Sequence, residues 1–196
     1  MKARLLFALG ALSLASLSGC GRAERSNEGS APECTCTGDP VVDKALVAFL
    51  SKARAVHHEA DAALDAGDPK KAITVLRSLV SGPRPRSGQE TAPEVLEVVA
   101  DTHARLADLE SEAGDFDAAQ KDVDLGLALA QKPTHFRGHL FEIRGIVLER
   151  EAKASKEKGD LPGAVKAATG AVEAFEQAIK IQDQVITDAL APDAGR

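Results

Sequence analysis

The sequence predicts an all-α domain, and three observations carry that expectation. Aromatic residues make up 3% of the 196-residue chain, with no Trp and no Tyr. Sandwiches and barrels lean on aromatic and β-branched side chains, so an all-β fold is disfavoured. Hydrophobic residues reach 44%, enough to build a core, and they are mostly helix-tolerant Ala and Leu with Val. Beyond residue 38, apolar positions recur at intervals of three and four, the period of a helix face.

Each element follows from local signals. Asp39 is placed to cap a first helix with Pro40 in its first turn. Val42, Leu46, Phe49, Ala53, Val56, Ala60, Ala63 and Leu64 form its stripe, and Gly67 ends it. Asp68-Pro69 repeats the cap-and-proline start, with Ala72, Ile73, Leu76, Leu79 and Val80 on the second face. Residues 82–88 (GPRPRSG) read as a loop. Thr91-x-x-Glu94 spells a capping box for a third helix, whose stripe is Val95, Val99, Thr102, Leu106, Leu109 and Ala113. Gly114 ends it and Asp115 caps a fourth, carried by Phe116, Ala119, Val123, Leu127 and Ala130 towards Pro133. A fifth runs from about Thr134 through Phe136, Leu140, Ile143, Val147 and Ala154. After Gly159-Asp160 comes a long sixth helix with Val165, Ala168, Val172, Phe175, Ile179, Gln182, Ile186 and Ala189 as its expected buried stripe. No segment reads as a strand.

Gly67-Asp68, Gly114-Asp115 and Gly159-Asp160 share one spelling and lie 47 and 45 residues apart. A period of that size signals an array of supersecondary units. An Ala stands five residues after each Gly (Ala72, Ala119, Ala164) and another seven before it (Ala60, Ala107, Ala152). Gly supplies a left-handed C-cap and Asp the next N-cap, so each unit reads as an αα-hairpin. This pattern resembles the tetratricopeptide repeat, which has small residues at those places around a Gly-Asp turn. Ala171–Ile181 reads like that family's second helix. The resemblance covers roughly 41–190 and implies about three antiparallel αα-hairpins stacked as a short superhelix. The first two repeats lack the family's usual aromatics, and a generic αα-bundle is the plain alternative.

Ahead of the helices, Lys2 and Arg4 precede a thirteen-residue apolar stretch, Leu5–Leu17. That is signal-peptide anatomy, because a spanning helix needs about 20 apolar residues. The stretch ends in Leu17-Ser18-Gly19-Cys20, which resembles the bacterial lipobox. The resemblance implies cleavage before Cys20 and lipidation of its thiol, palmitate-type acylation included. Acyl chains contribute about 0.8 kcal/mol per buried CH₂, so two or three hold a soluble domain on a bilayer. The expected organisation is a lipoprotein signal peptide over 1–19, a lipidated Cys and flexible tether over 20–38, a helical domain over 39–191 and a tail over 192–196. The expected location is the bacterial cell envelope. Gly21 in place of the inner-membrane-retaining Asp favours the outer membrane, by the same resemblance.

Residues 21–38 are rich in Gly, Ser, Glu and Pro and read as a tether. With Cys20 committed to lipid, Cys34 and Cys36 remain as an even pair in an oxidising compartment. They read as a local or structural disulfide, with a redox pair, a soft-metal site or a link to a second chain as the chemical alternatives. Two thiolates without a third ligand make a poor zinc site, so neither a metal nor any other cofactor is expected.

Charge narrows the partners. Loss of Lys2 and Arg4 with the leader takes the net charge from −6 to −8. Phosphate contacts need clustered Lys and Arg, so no nucleic-acid partner is expected. No Gly-x-Ser-x-Gly elbow, phosphate-binding loop or Gly-x-Gly-x-x-Gly occurs, and an enzyme is not expected. His135 and His139 have metal-pair spacing but no general-base Glu between them, and the consecutive His57 and His58 point about 100° apart.

In tetratricopeptide arrays, set positions on the first helix of each hairpin line a groove. By that resemblance the groove falls on Arg54, His57, Asp61 and Leu64, then Asp101, Ala104, Asp108 and Ser111, then His139, Glu142, Ile146 and Glu149. Five carboxylates against one Arg make it net acidic, which suits a protein partner with a basic surface. The same acids also read as a solvated helix face. The expected function is a membrane-anchored, non-catalytic scaffold or adaptor for an envelope complex, of the kind the pilotin-like lipoproteins represent. The alternative is a redox or metal-handling lipoprotein acting through Cys34 and Cys36.

Overall fold

The computed structural model describes residues 43–87 and 90–191. Cys20, Cys34, Cys36, Asp39 and Pro40 lie outside them, as do the leader, the tether and the tail. The described residues form six helices: α1 (Lys44–Asp65), α2 (Pro69–Val80), α3 (Pro93–Glu112), α4 (Phe116–Leu129), α5 (His135–Glu157) and α6 (Leu161–Leu190). The protein is all-α. None of these helices is long and apolar enough to cross a membrane.

The three Gly-Asp turns form as their chemistry dictates. Gly67, Gly114 and Gly159 have φ of 75°, 81° and 81°, the left-handed region that only Gly enters without strain. Asp68, Asp115 and Asp160 each accept a backbone N–H of the following helix. Each turn joins two helices that pack on each other: α1 with α2, α3 with α4, and α5 with α6. In addition, α3 packs on α1 and α2, while α5 packs on α3 and α4. The small residues beside the first two turns, Ala60, Ala72, Ala107 and Ala119, are fully buried, which lets their helices approach closely.

Four local expectations are corrected. α1 is capped by Asp43, whose carboxylate accepts from the Ala45 and Leu46 amides, and not from Asp39. At α3 the capping box does not form: Ala92 is the N-cap, Pro93 opens the helix, and no side chain caps it. Thr91 instead belongs to a two-residue ladder, Arg86–Ser87 antiparallel to Glu90–Thr91, whose first strand falls in the 82–88 segment expected as loop and whose second follows it. The fourth correction concerns α6. Its buried residues are Ala167, Ala171, Ala174, Ala178 and Ile181, whereas Val165, Val172, Ile179 and Ile186 face outward. A 3.6-residue period finds apolar stripes but cannot say which of two stripes meets the neighbouring helix.

The core has two parts. Phe49, Leu76, Leu79, Val95, Val99 and Leu106 centre the one between α1, α2 and α3. Val123, Leu140, Ile143 and Val147, with alanines of α3 and α4, centre the other.

Candidate functional site

The candidate groove lies on α1, α3 and α5, which pack side by side, α1 on α3 and α3 on α5. Its geometry starts from residues the sequence reading passed over. Arg105 on α3 donates to Asp61 on α1 and also lies 3.3 Å from His57 Nδ1. His57 Nε2 stands 3.0 Å from Thr102 Oγ1, whose own proton goes to the Val98 carbonyl at 2.7 Å. Nε2 therefore carries the ring proton and Nδ1 accepts from Arg105, so the imidazole is neutral. Burial and the Arg105 guanidinium lower the His57 pKa to match. The bond from Arg105 holds the Asp61 carboxyl below its usual range.

A second arginine joins α5 to α3. Arg150 Nη1 donates to the Asp108 carboxylate at 2.7 Å, to the Asp108 carbonyl at 3.1 Å and to Ser111 Oγ at 2.6 Å. Its Nη2 reaches Glu112 at 3.2 Å. Two of the five groove carboxylates are thus neutralised in place, and the balance of five against one does not hold in three dimensions.

The remaining candidates separate by exposure. Arg54, Glu142 and Glu149 are exposed, and Asp101 is half-buried. Ala104 and Ser111 are buried and cannot line a groove; Ala104 packs in the second core. Leu64 and Ile146 pack against the two cores. His139 Nδ1 lies 3.2 Å from Glu142. The His135 and His139 rings stack with centroids 6.3 Å apart, and His135 is met instead by Gln182 of α6. Among the described residues no three His, Cys, Asp or Glu side chains are grouped to hold a metal ion.

The opposite side of α3 holds a buried polar cluster that the sequence did not disclose. Arg77 of α2 donates to Glu110 of α3 and, at 2.9 Å, to Asp122 Oδ2 of α4. The other Asp122 oxygen meets His103 Nδ1 at 2.8 Å. Glu110, Asp122 and His103 are all buried, and Glu110 Oε2 has no partner among the described residues. Burial, with the adjoining Asp122 carboxylate, pushes Glu110 up to about 7. Burial acts on Asp122 in the same direction, but the hydrogen bond from His103 and the Arg77 charge together keep it below its usual range. The cluster ties three helices together. One signal was available: Asp122 stands three after Ala119 and four before Gly126, on the face α4 buries.

Two depressions, of about 260 Å³ between α4 and α5 and about 660 Å³ between the start of α3 and the end of α4, are lined by none of the groove residues. No protein-family model, curated protein or solved structure matches the chain. Its function is therefore argued from its own residues.

Proposed function

We propose that the protein is a lipid-anchored scaffold of a bacterial envelope, held at the membrane through Cys20, that binds a protein partner on the α1–α3–α5 face. The observation that carries this reading is the pair of cross-helix arginines. Arg105 pins α3 to α1 and Arg150 pins α5 to α3. A face built this way spans three helices and is pre-organised, which reduces the entropy lost on binding. It leaves Arg54, Glu142 and Glu149 exposed as contact points. The hairpin order, in which α3 packs on both helices of the first pair and α5 on both of the second, suits the tetratricopeptide-like reading.

The anchor follows from the leader, since a net charge of −6 gives no attraction to an anionic bilayer. Metabolic labelling with a fatty acid should mark the wild-type protein and not Cys20→Ala. Wild-type protein that takes up no label removes the anchor.

The partner face is tested by capture from detergent-solubilised envelopes. Glu142→Lys with Glu149→Lys should lose the captured protein. Asp117→Lys with Asp188→Lys, which makes the same charge change elsewhere, should keep it. Equal loss from both pairs would mean that net charge alone governs capture, and no loss from either would place the partner off this face.

A further inference from the structure

We propose that His57 is a proton-operated latch on the α1–α3–α5 face: its neutral ring holds Arg105 across the seam to α1, and its protonation frees Arg105 and releases a bound partner in acid. The release rests on the binding reading above; the latch itself does not.

The geometry allows the ring one state at neutral pH. His57 is half-buried where α1 meets α3, and both of its nitrogens are engaged from α3. Thr102 is fully buried, and its hydroxyl proton is committed to the Val98 carbonyl at 2.7 Å, so its oxygen can only accept from Nε2. Arg105 carries donors alone, so Nδ1, 3.3 Å from it, must offer a lone pair. A second ring proton can go only to Nδ1, where it would point at a guanidinium. Protonation therefore has to expel Arg105.

The surrounding charges decide where the two cations go. Arg105 and Asp101 face the ring from α3, and Asp61 faces it from one turn further along α1. Arg54 stands one turn back on the same side of α1, and His58 is exposed near Asp61. Lys71 of α2 pairs with Glu59, which lies about 200° round α1 from the ring and faces away from it. Asp61 is at i, i+4 from His57, and Asp101 is four residues before Arg105, so each cation has a carboxylate on its own helix. Asp101 is half-buried and in no ion pair among the described residues.

These four groups can satisfy one another in two ways. With the ring neutral, Arg105 reaches over to Asp61 and the pairing crosses the seam. With the ring protonated, the imidazolium takes Asp61, Arg105 falls back on Asp101, and nothing crosses. Asp61 is held below its usual range and stays anionic throughout the change. Desolvation and the Arg105 charge lower the His57 pKa from 6.5, outweighing Asp101 and Asp61, so the latch is shut at neutral pH. A histidine lowered in this way contributes stability that is complete above about pH 6.5 and is lost as pH falls through the lowered value. The seam suits such a device, because α1 packs far more on α2 than on α3.

The test begins with nitrogen-15 spectra of the histidine rings of the full chain against pH, the His57 signals being those that His57→Gln removes. The Nε2–H tautomer is expected at neutral pH, with a midpoint below 6.5 that rises in Arg105→Gln, since the cation facing Nδ1 is gone. An Nδ1–H tautomer, a midpoint at or above 6.5, or one indifferent to Arg105→Gln overturns the latch. Urea unfolding gives a readout that a merely structural arginine would not move. Arg105→Gln should lower the urea midpoint at neutral pH and have little effect well below the ring's own midpoint. In a His57→Gln background, whose amide donates and accepts but cannot titrate, Arg105→Gln should cost the same at both pH values. An equal cost at both in the wild-type background overturns the latch, as does a cost that still fades in acid without His57. Capture from detergent-solubilised envelopes should succeed with wild-type protein at neutral pH, fail well below the ring's midpoint, and fail with Arg105→Gln at both. Capture that persists in acid overturns the release. No capture at neutral pH overturns the binding reading, while the ring and urea measurements still decide the latch.

Discussion

Phe175 of α6 occupies the space that Gly145 of α5 leaves empty: a Cβ on Gly145 would stand 2.5 Å from the ring Cε1 and 2.6 Å from Cζ. Gly138 does the same for Gln182 one contact further along, at 2.6 Å. The third helix pair therefore closes on glycines of α5 where the first two close on alanines beside their turns. Gly145→Val should destabilise the protein by about 1–3 kcal/mol, the usual cost of forcing side chains apart in a packed interface. Thermal unfolding checks it; an unchanged Tm would mean that the ring moves aside freely.

Gly114 tests the turns. Nothing lies within 4 Å of a Cβ built there, so the cost of a substitution is backbone strain alone, at φ +81°. Gly114→Val should cost about 1 kcal/mol or more, and Gly114→Asn less, because Asn tolerates the left-handed region. If denaturant midpoints fell equally for both, crowding and not φ would be the cause.

Asp122 should be the most sensitive polar position. Its two oxygens serve Arg77 and His103 on different helices. Asp122→Ala leaves both without that partner and Glu110 buried beside the gap, so a loss of about 3 kcal/mol is expected at neutral pH. Urea titration of the two proteins measures it. A loss under about 1 kcal/mol would show that the cluster relaxes around the substitution.

Glu110 gives the cluster a pH dependence of definite sign. Its ordinary value of 4.5 rises to about 7 in the fold. A carboxyl raised in this way contributes stability that is complete below about pH 4.5 and is lost as pH climbs through about 7. The group facing it from α2 is Arg77 and that from α4 is Asp122, with His103 beyond. Wild-type protein should therefore lose stability between about pH 5 and about pH 7 faster than Glu110→Gln, by at most ~1.4 kcal/mol per pH unit, with the two curves running parallel above about pH 8. Parallel stability curves for the two proteins below that range as well would show that Glu110 is not raised.

The sequence alone determined whatever acts within a few residues. A Gly followed by Asp specifies a left-handed stop and a new N-cap with no help from the rest of the chain, so all three turns were legible, as was the all-α class. The buried stripes of α1, α2 and α4 were largely legible too, because each of those helices has one dominant apolar face, whereas α3, packed on α1, α2, α4 and α5, also buries Ala100, His103, Ala104, Ala107, Glu110 and Ser111 outside its expected stripe.

Only the tertiary structure decided the rest. α6 carries two apolar stripes, one of alanines and one of larger aliphatics; periodicity favoured the larger, while close approach to α5 selected the smaller. His103, Glu110 and Asp122 look solvent-ready one at a time, and only the meeting of three helices buries them, with the half-exposed Arg77 reaching in from α2. Asp61 and Asp108 read as free acids until Arg105 and Arg150, 44 and 42 residues away in the chain, arrive beside them. The physical reason is common to all three. Caps and turns are satisfied by neighbours in sequence, whereas burial, ion pairing and the choice between two faces are settled by whichever distant surface packs there first-hand.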